Sequence, residues 1–257
     1  MNEPTHLDLF SGIGGFSIAA GWAGYSTRVF CEQDDYCTKV LNRHWPDVPV
    51  IPDIRDFDGS KWRGAGLLTG GFPCQPFSVA GKQGGDSDDR HLWPELFRVI
   101  REARPDFVLV ENVAGLIKMA LDDVLSQLEG EGYSTGAVVL PACAVNAPHR
   151  RDRVWILAKN VADPKSKQGS PNHYRTEPRK VGKQEQGEFG RSRGRTLRPR
   201  GWAIEPTVGR VANGIPSQSH RLKALGNAIV PQVAYEILKL TREITKQKEK
   251  NNAKQTK

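Results

Sequence analysis

Cysteine is scarce in this sequence: the four present are Cys31, Cys37, Cys74 and Cys143, and no two of them form a C-x-x-C pair. A zinc site wants such a pair, or histidines at fixed offsets, so a zinc module is excluded and no metal is expected. Long apolar runs are missing too, since nothing approaches the ~18 uninterrupted residues of a membrane span. The opening M-N-E-P-T-H-L-D-L-F lacks the basic head and apolar stretch of an export signal, which predicts reduced thiols in a cytosol. There is no internal repeat, and no glycine loop runs into G-K-[ST], which disfavours ATP hydrolysis. What remains is a chain of 257 residues, 38% apolar and with 26 glycines, long enough to bury a core without disulfide or metal staples.

Positive charge is in excess. A formal net charge of +8 suits a polyanionic partner, but alone it is a weak pointer. Its distribution says more. Residues 1–160 alternate apolar strand patterns at 6–10, 28–31, 66–69 and 106–110 with helical patterns after 15, over 34–44, 91–104 and 117–129. That alternation predicts an α/β fold built on a parallel, doubly wound sheet covered on both faces. Residues 137–140 and 154–158 read as an antiparallel pair at one edge. From 163 to 200 apolar content falls and basic residues, Arg191, Arg193 and Arg195 among them, far outnumber acidic ones. Such a stretch builds no core alone; it reads either as a surface insertion or as a nucleic-acid contact loop. After Pro231 a helix with Val233, Ile237, Leu238 and Leu240 as its apolar stripe is predicted to about Lys246, followed by a polar, disordered tail over 247–257.

The glycine-rich turn Gly12-Ile13-Gly14-Gly15 sits between the first strand and the first helix, where the backbone can approach a ligand closely. Glu32 closes the second strand about twenty residues on, placed to accept hydrogen bonds from ribose hydroxyls. Asp53, followed by Ile54, falls near the third strand end, where it could receive an adenine amino group. A glycine turn by itself is as often only a tight turn. Two acidic residues at consecutive strand ends make a nucleoside cofactor the better reading.

The segment Gly70-Gly71-Phe72-Pro73-Cys74-Gln75-Pro76-Phe77-Ser78 is too rich in glycine and proline for a helix or a strand interior. Cys74 is therefore expected on a loop at the carboxyl end of the sheet, where doubly wound folds place their chemistry. A thiol there becomes a good nucleophile when nearby positive charge favours the thiolate; the other three cysteines read as inert and buried. Glu111, closing the run Val108-Leu109-Val110, is either a helix cap or an acid–base group whose pKa rises on desolvation. In His149-Arg150-Arg151-Asp152-Arg153, strand alternation would put Arg151 and Arg153 on one face. There they could stabilise the Cys74 thiolate, position Glu111 or hold a phosphate; as edge-strand surface arginines they would be unremarkable.

The ordered series Asp8-Leu9-Phe10-Ser11-Gly12-Ile13-Gly14-Gly15, Gly71-Phe72-Pro73-Cys74-Gln75, Glu111-Asn112-Val113, Arg151-Asp152-Arg153 and Gly226-Asn227-Ala228-Ile229-Val230-Pro231 resembles the DNA (cytosine-5)-methyltransferases over about residues 6–158 and 206–240. The resemblance implies a Rossmann-like, S-adenosylmethionine-dependent fold and methyl transfer to C5 of a flipped-out cytosine in double-stranded DNA. Cys74, Glu111, Arg151 and Arg153 would be catalytic. Phe10, Gly12, Ile13, Gly14, Gly15 and Pro73 would line the cofactor, Glu32 would hold its ribose, and Asp53 with Ile54 its adenine. Asn227 and Ile229 would close over the site. It further implies a catalytic domain over 1–160, a short target-recognition segment over 161–205, and a return to the catalytic domain over 206–246. It also implies a monomer in the cytoplasm of a bacterium or encoded by a phage, with a companion restriction endonuclease. His149 stands where the family usually has Gln. Two other readings are a C5-methyltransferase acting on tRNA and a catalytically silent DNA-binding homologue.

Overall fold

The computed structural model describes residues 3–73, 92–161 and 218–255. Cys74, the loop that follows it and most of the basic stretch lie outside them. The strands are β1 (Thr5–Leu9), β2 (Ser26–Cys31), β3 (Val50–Ile51), β4 (Leu67–Gly70), β5 (Phe107–Val113), β6 (Tyr133–Pro141) and β7 (Asp152–Asn160). They form one sheet in the order β3-β2-β1-β4-β5-β7-β6. β1 to β5 pair in parallel, whereas β7 runs antiparallel between β5 and β6. This is the doubly wound arrangement that the strand–helix alternation predicts, with the antiparallel pair at one edge.

Helices α1 (Gly15–Ala23), α2 (Asp35–His44), α3 (Trp93–Ala103), α4 (Leu116–Met119), α5 (Leu121–Gly130), α6 (Gln218–Asn227) and α7 (Pro231–Gln255) connect the strands or close the chain. Alternating strand residues divide the core in two, as period-two geometry requires. Leu68, Val108 and Val110 pack with Leu96 and Ile100 of α3 and with Val124 and Leu128 of α5. Leu67, Phe107 and Leu109 pack on the other face with Phe16 and Ala20 of α1 and with Val233 and Leu238 of α7. The two ends of the chain thus meet: Tyr25, just after α1, hydrogen-bonds Thr241 of α7 at 2.7 Å.

Three sequence expectations need correction. The helix read over 117–129 is two helices, broken at Ala120, whose φ of −153° is not helical. Asp122 and Asp123 fall in the first turn of α5, where the helix dipole favours acids, and so support a fresh start there. The last helix does not stop near Lys246 but runs to Gln255; its Lys, Gln and Glu residues are straight-chain helix formers with no Gly or Pro among them. Cys143 is exposed, whereas Cys31 and Cys37 are buried and their thiols are pushed up to about 12, chiefly by desolvation.

On the α1 side the pattern of β1 departs from apolar packing. His6 and Asp8 are fully buried there, and a closed ring of polar groups accounts for them. Ser17 donates to Asp8 Oδ2 (2.7 Å), Thr27 to Ser17 (3.0 Å) and Thr69 to Asp8 Oδ1 (3.1 Å), while His6 meets Thr27 through Nδ1 and Thr69 through Nε2 (2.8 Å each). Three hydroxyl protons serve these five contacts, so a satisfied ring needs two more protons, held between His6 and Asp8. An ionised Asp8 demands a doubly protonated His6. If Asp8 is protonated, the Thr69 bond reverses, Asp8 donating to Thr69 and Thr69 to His6, and a neutral His6 suffices; Asp8 accepts the Ser17 backbone N–H as well. Burial favours the neutral pair: it pushes the Asp8 carboxyl up to about 7 and the His6 imidazole down to about 3.

The two shifts act on stability with opposite signs. Folded Asp8 keeps a proton that the unfolded carboxyl releases above its ordinary 3.8, so its contribution falls as pH rises from 3.8 towards 7. Folded His6 refuses a proton that the unfolded ring takes below 6.5, so its contribution falls as pH drops from 6.5 towards 3. Over the shared window the two offset each other. Asp8→Asn mimics the protonated acid and leaves the His6 effect alone. Its Tm relative to the native chain is expected to decline as pH is lowered from 6.5 to 4 in a thermal-melt series, and a difference that stays constant contradicts the neutral ring.

Candidate active site

The site is assembled at the carboxyl ends of β1, β2, β4 and β5, joined by the amino-terminal end of the antiparallel β7. At the end of β1 the chain turns sharply. Phe10, Gly12 and Gly14 all have positive φ (54°, 55° and 86°), a conformation that glycine adopts freely and Phe10 does not. Ser11 locks the turn by donating from Oγ to Asp8 O at 2.6 Å and from its backbone N–H to Cys31 O at 3.1 Å. A Cβ on Gly14 would sit 2.6 Å from the Trp45 ring, and one on Gly15 would sit 2.8 Å from Ile229 Cγ1. A Cβ on Gly12 would meet none of the described residues within 4 Å, so among them this glycine borders open space.

Glu32 fastens the turn to its neighbour. Oε2 accepts the Gly12 N–H at 2.6 Å and Oε1 accepts the Asp34 N–H at 2.7 Å. Asp34 in turn caps α2 through the N–H groups of Tyr36 and Cys37 and receives Lys223 Nζ of α6 at 2.9 Å. Beyond β3, the Asp53 side chain caps the 3-10 turn Ile54–Asp56 by accepting the Arg55 N–H at 2.9 Å. Ile54 is buried in the α3-side core, and its carbonyl accepts from Arg98 at 2.8 Å. Arg98 also reaches Phe57 O and pairs with Glu95 and Glu102, a scaffold that no sequence motif announced.

At the sheet centre, Glu111 and Asn112 end β5 almost fully buried. The Asn112 amide donates to Phe72 O at 3.0 Å, and Phe72 packs on Trp93 with ring centroids 5.3 Å apart. The chain entering residue 74 is therefore held from two sides, a role for Asn112 that its type alone did not reveal. Pro73 is exposed. Glu111 lies against the same segment, since a Cβ on Gly71 would stand 3.5 Å from its Oε2. Arg153 Nε sits 2.9 Å from Glu111 Oε1, yet this buried oxygen receives no aligned hydrogen bond. Desolvation pushes the Glu111 carboxyl upward, and Arg153 and then Arg151 offset part of that rise.

Strand alternation, which would put the two arginines on one face, does not apply to Arg151, and their hydrogen bonds go to different places. Arg151 precedes β7 with φ of 39°, outside strand geometry. It donates instead to Gly226 O and Ala228 O, 2.8 Å each. Asn227 is exposed at the end of α6, and Ile229 is half-buried over Gly15. The exposed His149 lines a cavity of about 300 Å³ with Ile13, Gly15, Arg151, Ile229 and Gln232 among its neighbours. Among the described residues no helix is long and apolar enough to cross a membrane, and no group of His, Cys, Asp and Glu could hold a metal ion.

A buried acid with an adjacent cationic partner thus stands beside a glycine turn with an acidic strand end, at the carboxyl ends of the central strands. Comparison with known proteins gives the class. The family of C-5 cytosine-specific DNA methylases matches residues 5–208, and the chain belongs to that family. It is 34% identical over 176 residues to the Type II methyltransferase M2.BsuMI of Bacillus subtilis (strain 168), covering 65% of this chain and 45% of that one. With the Type II methyltransferase M.AquIA of Picosynechococcus sp. it shares 35% identity over 199 residues, 67% of this chain and 80% of that one. The chain thus spans about half the length of the first of these relatives and most of the second. Among solved structures, a Spodoptera frugiperda DNMT2 mutant shares the fold, with a TM-score of 0.54 at 22% identity over 65% of this chain and 54% of that one.

The close approach of Ile229 to Gly15 is directly testable. Gly15→Ala is expected to lower stability by roughly 1–3 kcal/mol through overpacking, and Ile229→Ala in the same chain to restore most of that loss. Denaturant midpoints of the two single variants and the double variant check this; strict additivity would contradict the contact.

Proposed function

We propose that the chain transfers a methyl group from S-adenosylmethionine to C5 of a cytosine turned out of double-stranded DNA, through a transient bond between Cys74 and C6 of the ring. The observation that carries this reading is Glu111: a buried carboxyl with a raised pKa, lying against Gly71 just before Cys74 in the chain and paired with Arg153. The residues around the glycine turn fit the cofactor. Among the described residues Gly12 borders open space beside the Glu32 carboxylate, whose oxygens have lone pairs left after two backbone bonds. Glu32 would hold the ribose, Asp53 and Ile54 the adenine, and Phe10, Ile13, Gly14 and Gly15 the wall of the turn. Pro73, Asn227 and Ile229 would close the far side. When bound, the cofactor supplies a methyl group on a positively charged sulfur.

Cytosine C5 is a weak nucleophile. Addition of the Cys74 thiolate to C6 makes the ring enamine-like and puts electron density on C5. Glu111, whose carboxyl pKa is pushed upward by burial, shares a proton with N3 and offsets the charge that develops there. Arg153 holds that carboxyl in place. Loss of the C5 proton and departure of Cys74 then restore the aromatic ring. A stacked base cannot offer one face to a thiol and the other to a methyl donor, so the nucleotide leaves the helix at a cost of a few kcal/mol. The Type II names of the relatives support a restriction–modification setting; on this reading the chain acts as a monomer on bacterial or phage DNA in the cytoplasm, beside a companion endonuclease.

Incubation with methyl-labelled cofactor and either duplex DNA or tRNA tests the reading. Label is expected in duplex cytosine C5, abolished by Cys74→Ser and lowered about a hundredfold by Glu111→Gln. The native rate should fall as pH rises through the Glu111 pKa, because the ionised acid has no proton to share, and Glu111→Gln should remove that limb. Label in tRNA alone, or transfer surviving Cys74→Ser, overturns the proposal.

A further inference from the structure

Arg151 precedes β7 by one residue, and its hydrogen bonds go to the loop after α6 rather than to Glu111, although its charge still acts on that carboxyl. Its guanidinium donates to the carbonyls of Gly226 and Ala228, at 2.8 Å each, and so grips the peptide on both sides of Asn227. The next side chain, Ile229, sits where a Cβ on Gly15 would come within 2.8 Å of it, so the gripped loop rests directly on the glycine turn. Arg153, two residues further on, faces Glu111 instead. The backbone carries a cost for this division: Arg151 holds φ of 39°, a left-handed conformation that a long side chain adopts only where its surroundings impose it. Its Nε is buried and finds no partner among the described residues, and both loop bonds come from Nη2.

We propose that Arg151 is a positioning residue for the cofactor side of the site, clamping the 226–229 loop onto the glycine turn, while Arg153 is the arginine that pairs with Glu111 on the base side. The assignment rests on the reading under Proposed function and divides a pair of arginines that the sequence treats as one. Both bonds leave one nitrogen, Nη2, and two charge-assisted bonds hold the loop better than either would alone. A lysine ammonium also has more than one donor on its nitrogen, but it sits on a flexible stem that is less pre-organised for the pair. Loss of the clamp frees Ile229 and Asn227 from the turn and leaves the Glu111–Arg153 pair and the Asn112 bond to Phe72 in place, while the Glu111 carboxyl loses the weaker of its two cationic neighbours.

Two readouts separate the two sides. Equilibrium binding of S-adenosylhomocysteine reports the cofactor side. Release of tritium from C5-tritiated cytosine in duplex DNA, with no cofactor present, reports the base side: thiol addition to C6 lets C5 take up a solvent proton, and loss of the tritium with departure of the thiol returns the ring. Arg151→Gln is expected to weaken binding about tenfold and to change tritium release by less than about threefold. Arg151→Lys should recover binding in part, and Ile229→Ala should reproduce the binding loss. Arg153→Gln should show the reverse split, with release lost and binding kept. If Arg151→Gln fails to fold, Arg151→Lys and Ile229→Ala carry the comparison. Unchanged binding in these variants, or release lost in parallel with binding, overturns the clamp. Absence of tritium release from the native chain would instead refute the C5 chemistry, and the binding series would still decide the role of Arg151.

Discussion

The reversal of one strand sets everything else. β7 enters the sheet antiparallel to β5, so its first residues lie at the edge where β5 ends, and the register places Val113 opposite Arg153 and Trp155 opposite Glu111. A parallel strand in the same slot would carry those arginines to the far edge of the sheet, about the length of a strand away. The reversal therefore brings a guanidinium to the buried Glu111 carboxyl, and the turn just before the strand brings another to the loop between α6 and α7. Burial pushes the Glu111 carboxyl upward, and the two arginines oppose that rise.

From that edge the organisation spreads outward through backbone anchors more than through side-chain packing. Glu32 joins the glycine turn to α2, Asp34 joins α2 to α6, and Ile229 rests on Gly15. The carboxyl-terminal helices are thus part of the cofactor side of the site, although nearly two hundred residues separate Lys223 from Asp34 in sequence. Beneath the same turn, the ring of His6, Asp8, Ser17, Thr27 and Thr69 fixes β1, β2, β4 and α1 to one another by directed bonds where apolar contacts would allow sliding.

Much of this was legible in the sequence because it depends on local pattern. Strand–helix alternation, the glycine turn, the acids at strand ends and the antiparallel edge pair all follow from periodicity and from residue types that act within a few positions. What stayed hidden depends on partners far apart in sequence. Nothing in Asn112 points to Phe72 O, nothing in Arg98 points to the carbonyls of Ile54 and Phe57, and His6 reads as an ordinary strand residue until Thr27 and Thr69 are placed beside it. The arginine pair misleads for a different reason: strand alternation holds only inside a strand, and Arg151 lies one residue outside β7 with its φ turned positive. The break at Ala120 and the length of α7 belong to the same class, boundaries settled by capping and propensity in balance.

The central claim is that a cysteine sulfur bonds to the pyrimidine while the base is methylated. Duplex DNA carrying 5-fluorocytosine tests it most directly, because fluorine cannot leave C5 as a proton does and the adduct is trapped after methyl transfer. The account predicts a protein–DNA species stable to denaturation, formed only with S-adenosylmethionine, whose peptide mass maps the link to Cys74. Methylation that proceeds with no such species, or a link mapped to another residue, would contradict it.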